Sequence, residues 1–285
     1  MASVKDIIVK PINATIANEY VKKHHYSGKV VPNSQLHFGC FLNGVLGGVM
    51  QFGCSLDKKK IVGLVKNTGW NDFLELNRMA FGELLPKNSE SRCLAIAMRL
   101  IRKHYPNIKW IISFADGCQC GDGTIYRASG FKLTGIKKGD HFYKLPNGES
   151  YTALTLKLHG YAGQLVTCCS RELFDKIIGS SYGNNAKIEQ LMTAIGATKL
   201  SGYSLRYIYF LDKSYEKYLT VPIMPFTMID EYNARMYKGK AYKKDNACLV
   251  QQQNGVFPDK DGGATPTDTH QNPVKTTTYN NQQKE

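Results

Sequence analysis

Acidic side chains are scarce in this chain: 285 residues hold 23 Asp+Glu against 37 Lys+Arg, a formal net charge of +14. Because charged residues make up only 21% of the total, below the ~25% usual for soluble domains, the surplus reflects missing acids rather than a flood of bases. A histone-like polycation is therefore excluded. Long apolar runs are also missing: no stretch of about 18 apolar residues exists, so no helical membrane span is expected. Met1–Lys10 has no apolar core of the kind that marks a signal peptide. The eight cysteines follow no regular framework. Cys118-x-Cys120 and the distant Cys168-Cys169 lack zinc-ribbon spacing, and no histidine pair sits near them at finger spacing. Reduced thiols in a cytoplasmic setting are the expectation.

What is present supports a folded body. At 42% hydrophobic and 11% aromatic residues the chain is not disordered throughout, and its length suits one or two domains with a core that needs no staples. The stretch 251–285 differs. It is rich in Gln, Asn, Thr, Gly and Pro, and its Lys260, Lys275 and Lys284 are outnumbered by Asp259, Asp261, Asp268 and Glu285. A disordered tail is expected there. Removing its net −1 leaves +15 on residues 1–250, a field that attracts nucleic acid or a phosphorylated cofactor.

Apolar patterning gives an order of elements. A short strand at Asp6–Val9 precedes a helix at Ala14–Lys23, and two β-prone runs, His37–Leu42 and Val45–Phe52, are joined by Asn43-Gly44, a dipeptide suited to a type I′ hairpin turn. Lys58–Lys60 is expected in a loop and Phe73–Phe81 in a central strand. A helix from 88 to 104, with Asn88 or Ser89 as N-cap, carries Cys93, Ile96, Ala97, Leu100 and Ile101 on one face. The strand Trp110–Phe114 ends at Asp116, followed by a Gly-rich loop, a short helix Thr124–Ser129 and a Gly130 cap. Further strands are expected at Phe131–Thr134, His141–Leu145, Thr152–Leu156 and Leu205–Leu211. The region from Gly160 to Leu200 is expected to be helical and looped, with Ile188, Leu191, Met192 and Ile195 as a stripe.

This order resembles that of the GNAT acyltransferases. The resemblance narrows on His25-Tyr26-Ser27, His37-Phe38-Gly39, Gly47–Gly53, Leu76-Asn77-Arg78, Asn88–Ser91, Ser113-Phe114-Ala115-Asp116 and Gly123–Tyr126. As an ordered set these resemble the phage Mom DNA-modification family. The resemblance implies an α+β fold, a GNAT-like mixed central sheet flanked by helices with a C-terminal elaboration. It also implies an enzyme that converts the exocyclic amine of adenine in DNA to a methylcarbamoyl form, blocking restriction in a phage-infected cytoplasm. The expected division is a catalytic core at 1–160, an elaboration at 161–250 that includes the returning strand 205–211, and the tail.

The resemblance further implies acetyl-CoA or a related acyl-CoA as donor. Its pyrophosphate would lie on the backbone N–H groups of Asn88, Ser89, Glu90 and Ser91 at a helix N-terminus, with Lys87 or Arg92 adding charge; Arg78, a charge in a central strand close to that loop, needs a partner that a phosphate or Glu75 could supply. That loop departs from the usual GNAT pattern in having no glycine between Leu84 and Cys93. Tyr126 is expected to protonate a leaving thiolate, with Tyr26, Ser113 and Asp116 as further catalytic groups. A methylcarbamoyl product needs a nitrogen that acetyl transfer does not supply. Iron held by His25, His37 and Asp116 is one way to redox assistance. Double-stranded DNA would have to present its adenine flipped out, with Lys58, Lys59, Lys60, Lys66, Trp70, Lys137, Lys138 and His141 against phosphates and bases. Two other readings stay open: a conventional N-acetyltransferase acting on a protein or small amine, and a catalytically inert DNA-binding protein on the same scaffold.

Overall fold

The computed structural model describes residues 3–55, 57–118, 120–237 and 240–241. The expected tail at 251–285 lies outside them. In chain order the elements are β1 (Ile8–Pro11), α1 (Ala14–His24), β2 (Ser34–Leu42), β3 (Val45–Gly53), α2 (Lys58–Val62), β4 (Phe73–Phe81), α3 (Ser89–His104), β5 (Trp110–Asp116), α4 (Thr124–Ala128), β6 (Lys132–Lys144) and β7 (Ser150–Thr152). They continue with α5 (Ala153–His159), α6 (Gln164–Cys168), α7 (Arg171–Ile177), α8 (Asn185–Ala194), β8 (Thr198–Phe210), α9 (Met228–Glu231) and the two-residue strands β9 (Met236–Tyr237) and β10 (Lys240–Ala241). The fold is α+β. A mixed eight-stranded sheet runs β1-β2-β3-β4-β5-β8-β6-β7, antiparallel except for the parallel pair β4–β5.

Three clusters of buried side chains hold most of the body together. On one sheet face α3 inserts Cys93, Leu94, Ala97, Met98 and Ile101, spaced to form a single helical stripe, against Leu74, Leu76, Ile111, Leu205 and Tyr207. On the opposite face Phe73 and Trp110 stack with ring centroids 4.4 Å apart, alongside Ile112, Ile208 and Phe210. Burying each such side chain contributes about 1.5–3 kcal/mol. The third cluster joins Tyr143, Leu145, Tyr151 and Leu156 to Phe174, Ile188, Leu191 and Met192. Residues on either side of position 160 thus share one core.

The hairpin turn takes the expected positive dihedrals, φ 50° at Asn43 and 81° at Gly44. Several local expectations are corrected. The first strand is Ile8–Pro11, because Ser3 and Asp6 close a capping box around a 3-10 turn at Val4–Asp6. Phe131–Thr134 and His141–Leu145 belong to a single strand, β6, which bulges between Leu133 and Gly135 and between Gly139 and Phe142. Thr152–Leu156 is not a strand: Thr152 caps α5, accepting from Thr155 N, and Leu156 packs from that helix. Lys58–Lys60 opens α2 rather than a loop.

One irregularity positions the site. Between β3 and β4 the register steps from Phe52↔Leu76 to Gln51↔Arg78, leaving Asn77 as a bulge. Next to it, β4 and β5 pair only over Phe73↔Trp110, Leu74↔Ile111 and Glu75↔Ile112. Beyond Glu75 and Ile112 the two strands part, and the middle of the sheet opens.

Candidate active site

The gap is a cavity of about 450 Å³, lined by Glu75–Met79 of β4, Phe114–Asp116 of β5, His25 and Tyr26 after α1, and Cys120–Tyr126 from the Gly-rich loop into α4. Strand alternation sorts the lining by face. Glu75, Arg78, Phe114 and Asp116 share the α1 side with Phe73, Trp110 and Ala80. Leu76, Met79, Ala115, Ile125 and Tyr126 border the α3 side. The cavity thus runs through the sheet.

Its polar groups are desolvated. Burial raises the Glu75 carboxyl above its ordinary pKa, opposed by Asn77 and the Arg78 charge. The Arg78 guanidinium is clamped by backbone, Nε donating to Lys29 O at 2.9 Å and Nη1 to Asn77 O at 2.7 Å. Burial, then the Arg78 charge, lowers His25 to about 4. Its Nδ1 accepts from Ser27 N (3.2 Å) and lies 2.8 Å from Ser27 Oγ, so the neutral ring carries its proton on Nε2. The Tyr26 ring lies against His25, centroids 4.2 Å apart, and the residue stays 54% exposed; burial of the phenol end, with Cys120 and Asp116 beside it, raises the phenol's pKa.

Tyr126 packs on Tyr207 and Phe131, and burial pushes its pKa up to about 12. The loop that delivers it is firmly tied. Asp122, 2% exposed, pairs with Arg127 at 3.1 Å and Arg235 at 3.8 Å, and its backbone carbonyl accepts from Tyr207 Oη at 2.5 Å. Gly123 has φ 82°, and a Cβ there would lie 2.5 Å from the Tyr207 ring, so only glycine fits. Asp116 turns the chain: Oδ1 accepts from Cys118 N at 2.9 Å, and its carbonyl accepts from Cys120 N and Cys120 Sγ.

Of the expected site residues, His25, Tyr26, Arg78, Asp116 and Tyr126 share this cavity. Ser113 does not line it. Its hydroxyl is fully buried behind Tyr126, lowering that phenol's pKa without reaching normal hydrogen-bond geometry. His37 is also elsewhere: it sits opposite Gln51 in the β2–β3 ladder, and its Nδ1 accepts from Gln51 Nε2 at 3.0 Å. The set His25, His37 and Asp116 therefore does not fit an iron ion, and among the described residues no group of three His, Cys, Asp or Glu can hold a metal.

Arg78 is not at the α3 N-terminus, where Lys87, Asn88, Ser89, Glu90 and Ser91 stand outside the cavity lining. There Asn88 takes a left-handed φ of 67° and makes no side-chain cap. The Ser89 hydroxyl donates to Pro86 O, and that of Ser91 to Asn88 O. The Ser89 N–H already donates to Pro86 O at 3.2 Å, which leaves the N–H groups after it as the unpaired donors of the helix start; Arg92 donates from Nη2 to Lys5 O at 3.4 Å, and its Nε is buried with no partner. The remaining donors could hold a phosphate. Glu75, Cys120 and Asp122 are site residues that the sequence reading did not assign, although a glutamate three residues before Arg78 in a central strand was a readable signal.

A family model described as the Mom protein family matches residues 6–228. The chain belongs to the Mom protein family. Over 161 residues it is 37% identical to the methylcarbamoylase Mom of Escherichia phage Mu, a stretch that is 56% of this chain and 66% of that protein, just under two thirds. Among solved structures, Arabidopsis thaliana NAA60 in complex with a bisubstrate analogue is similar at 12% identity and a TM-score of 0.40, over 72% of this chain and 97% of that one. A Bacillus subtilis acetyltransferase in complex with CoA is similar at 11% identity and a TM-score of 0.35, again over 72% and 97%. The family match includes every cavity residue and ends before Arg235, whose guanidinium reaches Asp122 from outside it.

Proposed function

We propose that this Mom-family chain is a transferase that places a methylcarbamoyl group on the exocyclic amine of adenine in DNA and thereby protects that DNA from restriction. The observation that carries the reading is the passage through the sheet between β4 and β5. It lets a donor approach from the α3 side and a base from the α1 side, meeting among groups suited to acyl-type transfer. Membership of the family and the +15 on residues 1–250 support the same reading.

An adenine amine is a weak nucleophile, since its lone pair is delocalised into the ring. The carboxylates of Glu75 and Asp116 line the cavity wall on the base side and can take a proton as the nitrogen attacks a carbonyl carbon. Arg78, His25 Nε2–H and the Tyr26 phenol are donors for the oxygen on which negative charge develops. Tyr126, kept protonated by its raised pKa, returns a proton to the leaving group as the donor bond breaks. A thioester donor whose carbonyl already bears the methylamino group would, when bound, supply the activated carbon: the adenine nitrogen bonds to it as the C–S bond breaks and the thiolate leaves, whereas acetyl-CoA itself, lacking that nitrogen, would leave an acetylated amine. The phosphates of a CoA donor would lie on the remaining first-turn N–H groups of α3 between Lys87 and Arg92. No step is assigned to iron.

The reading is tested by expressing the protein with plasmid DNA in a bacterial host, digesting that DNA to nucleosides and weighing them by mass spectrometry. A methylcarbamoyl-adenine peak is expected. Unmodified adenine alone, from cells making soluble protein, overturns it.

A further inference from the structure

Beside the cavity mouth, on the α1 side of the sheet, three strands bring together residues far apart in sequence. In register, Phe114 of β5 faces Arg206 of β8, which faces Gly135 of β6; one step on, Asp116 faces Ser204, which faces Lys137. Directly opposed residues of antiparallel strands project from the same face. Phe114, Arg206 and Lys137 therefore form one strip that starts at the cavity wall.

Each member has an unusual feature. Phe114 is 40% exposed although it lies inside a strand whose Trp110, Ile111 and Ile112 are fully buried, so an aromatic face is left open where the cavity begins. Arg206 is half-buried and rigid, with Nη2 donating to Thr134 O at 2.7 Å and Nε to Thr134 Oγ1 at 3.1 Å. Gly135 makes room for it: a Cβ there would lie 3.3 Å from Arg206 Nη2. Among the described residues, the ion pairs include no carboxylate for Arg206 or Lys137. The acid at this level, Asp116, directs Oδ1 back to Cys118 N. A guanidinium costs free energy to desolvate unless an anion meets it, and among the described residues no ion pair supplies one.

We propose that this strip is the seat of the DNA strand that carries the modified base, with Phe114 stacking a base at the cavity mouth and Arg206 and Lys137 holding the adjoining phosphates. This rests on the DNA reading above and adds to it a binding face and a direction, across β5, β8 and β6 away from the cavity. An open aromatic beside an immobilised guanidinium and an exposed lysine is a pairing suited to single-stranded or extruded nucleotides, because every base has a π-face and every linkage a charge. The expected loop lysines contribute unevenly. Lys58 is 7% exposed, held over the Trp70 ring and by Asn71, and is not free for phosphate, whereas Lys137 and Lys138 are exposed.

Fluorescence anisotropy with a labelled adenine-containing oligonucleotide, single-stranded and duplex, across a range of salt concentrations tests the strip. Phe114→Ala should weaken binding about tenfold at an unchanged salt slope, and Phe114→Tyr should restore it. Arg206→Met, and separately the surface variant Lys137→Ala, should each lower the slope of log K against log salt by about 0.7–0.9. Wild-type protein that binds and modifies DNA, with all these variants binding at its affinity and slope, overturns the strip and leaves the transferase reading standing. Wild-type protein that neither binds nor modifies DNA overturns both.

Discussion

The lobe built from residues 143–192 and the gap between β4 and β5 solve opposite problems. In the lobe, Phe174, Leu165, Leu156 and Leu191 are fully buried against one another, and helix ends are closed locally, as where Ser170 accepts from Leu173 N and Asn184 from Ala186 N. At the gap, a carboxyl, a guanidinium and an imidazole are half-buried in a cavity wall, and burial moves the pKa of each. Packing density stabilises the first region. The second holds polar groups at a cost in stability, as sites of chemistry do.

Substitutions can break or sharpen that contrast. Phe174→Ala should produce the largest effect, a loss of about 3–5 kcal/mol in denaturant unfolding, because it empties the centre of the lobe. If the midpoint barely moves, the lobe is not a packed core. Glu75→Gln should do the reverse, leaving stability unchanged or slightly raised while lowering adenine modification by about 10²-fold. Equal loss of both properties would mean that Glu75 supports the fold rather than the chemistry.

The smallest expected effect is on pH dependence. His25 titrates near 4 in the folded chain, below its ordinary 6.5, so between these values the unfolded chain binds more protons. Stability should therefore fall as pH drops from about 6.5 to about 4. His25→Asn should flatten that part of the profile. Phe174→Ala should only shift it downward, and a wild-type profile matching that of His25→Asn would show that the imidazole is not desolvated.

Much of the frame was readable before any coordinates. The Asn43-Gly44 turn, the stripe from Cys93 to Ile101 and the central strand Phe73–Phe81 stand where periodicity and turn chemistry put them, because each depends on neighbours within a few residues. The errors arose where distant partners decide. Thr152–Leu156 has a β-prone composition, yet a Thr152 cap and the pull of the second core wind it into α5. His37 reads like a ligand beside His25, yet the β2–β3 ladder turns it to Gln51. Arg78 reads like a phosphate contact, yet the Asn77 bulge re-aims it across the sheet to Lys29 O.

By itself the sequence determined the scarcity of acids and with it the charge, the alternation that makes strands, the stripe that makes α3, and the ordered motifs that place the chain in its family. These are properties of composition and of short spacing. Only the tertiary structure decided that β4 and β5 part beyond Glu75 and Ile112, that residues near positions 25, 75, 115 and 125 line one cavity, and that Phe114, Arg206 and Lys137 stand side by side. Strand order and register set those meetings. They follow from how the whole set of apolar faces is buried at once, so no single segment carries them.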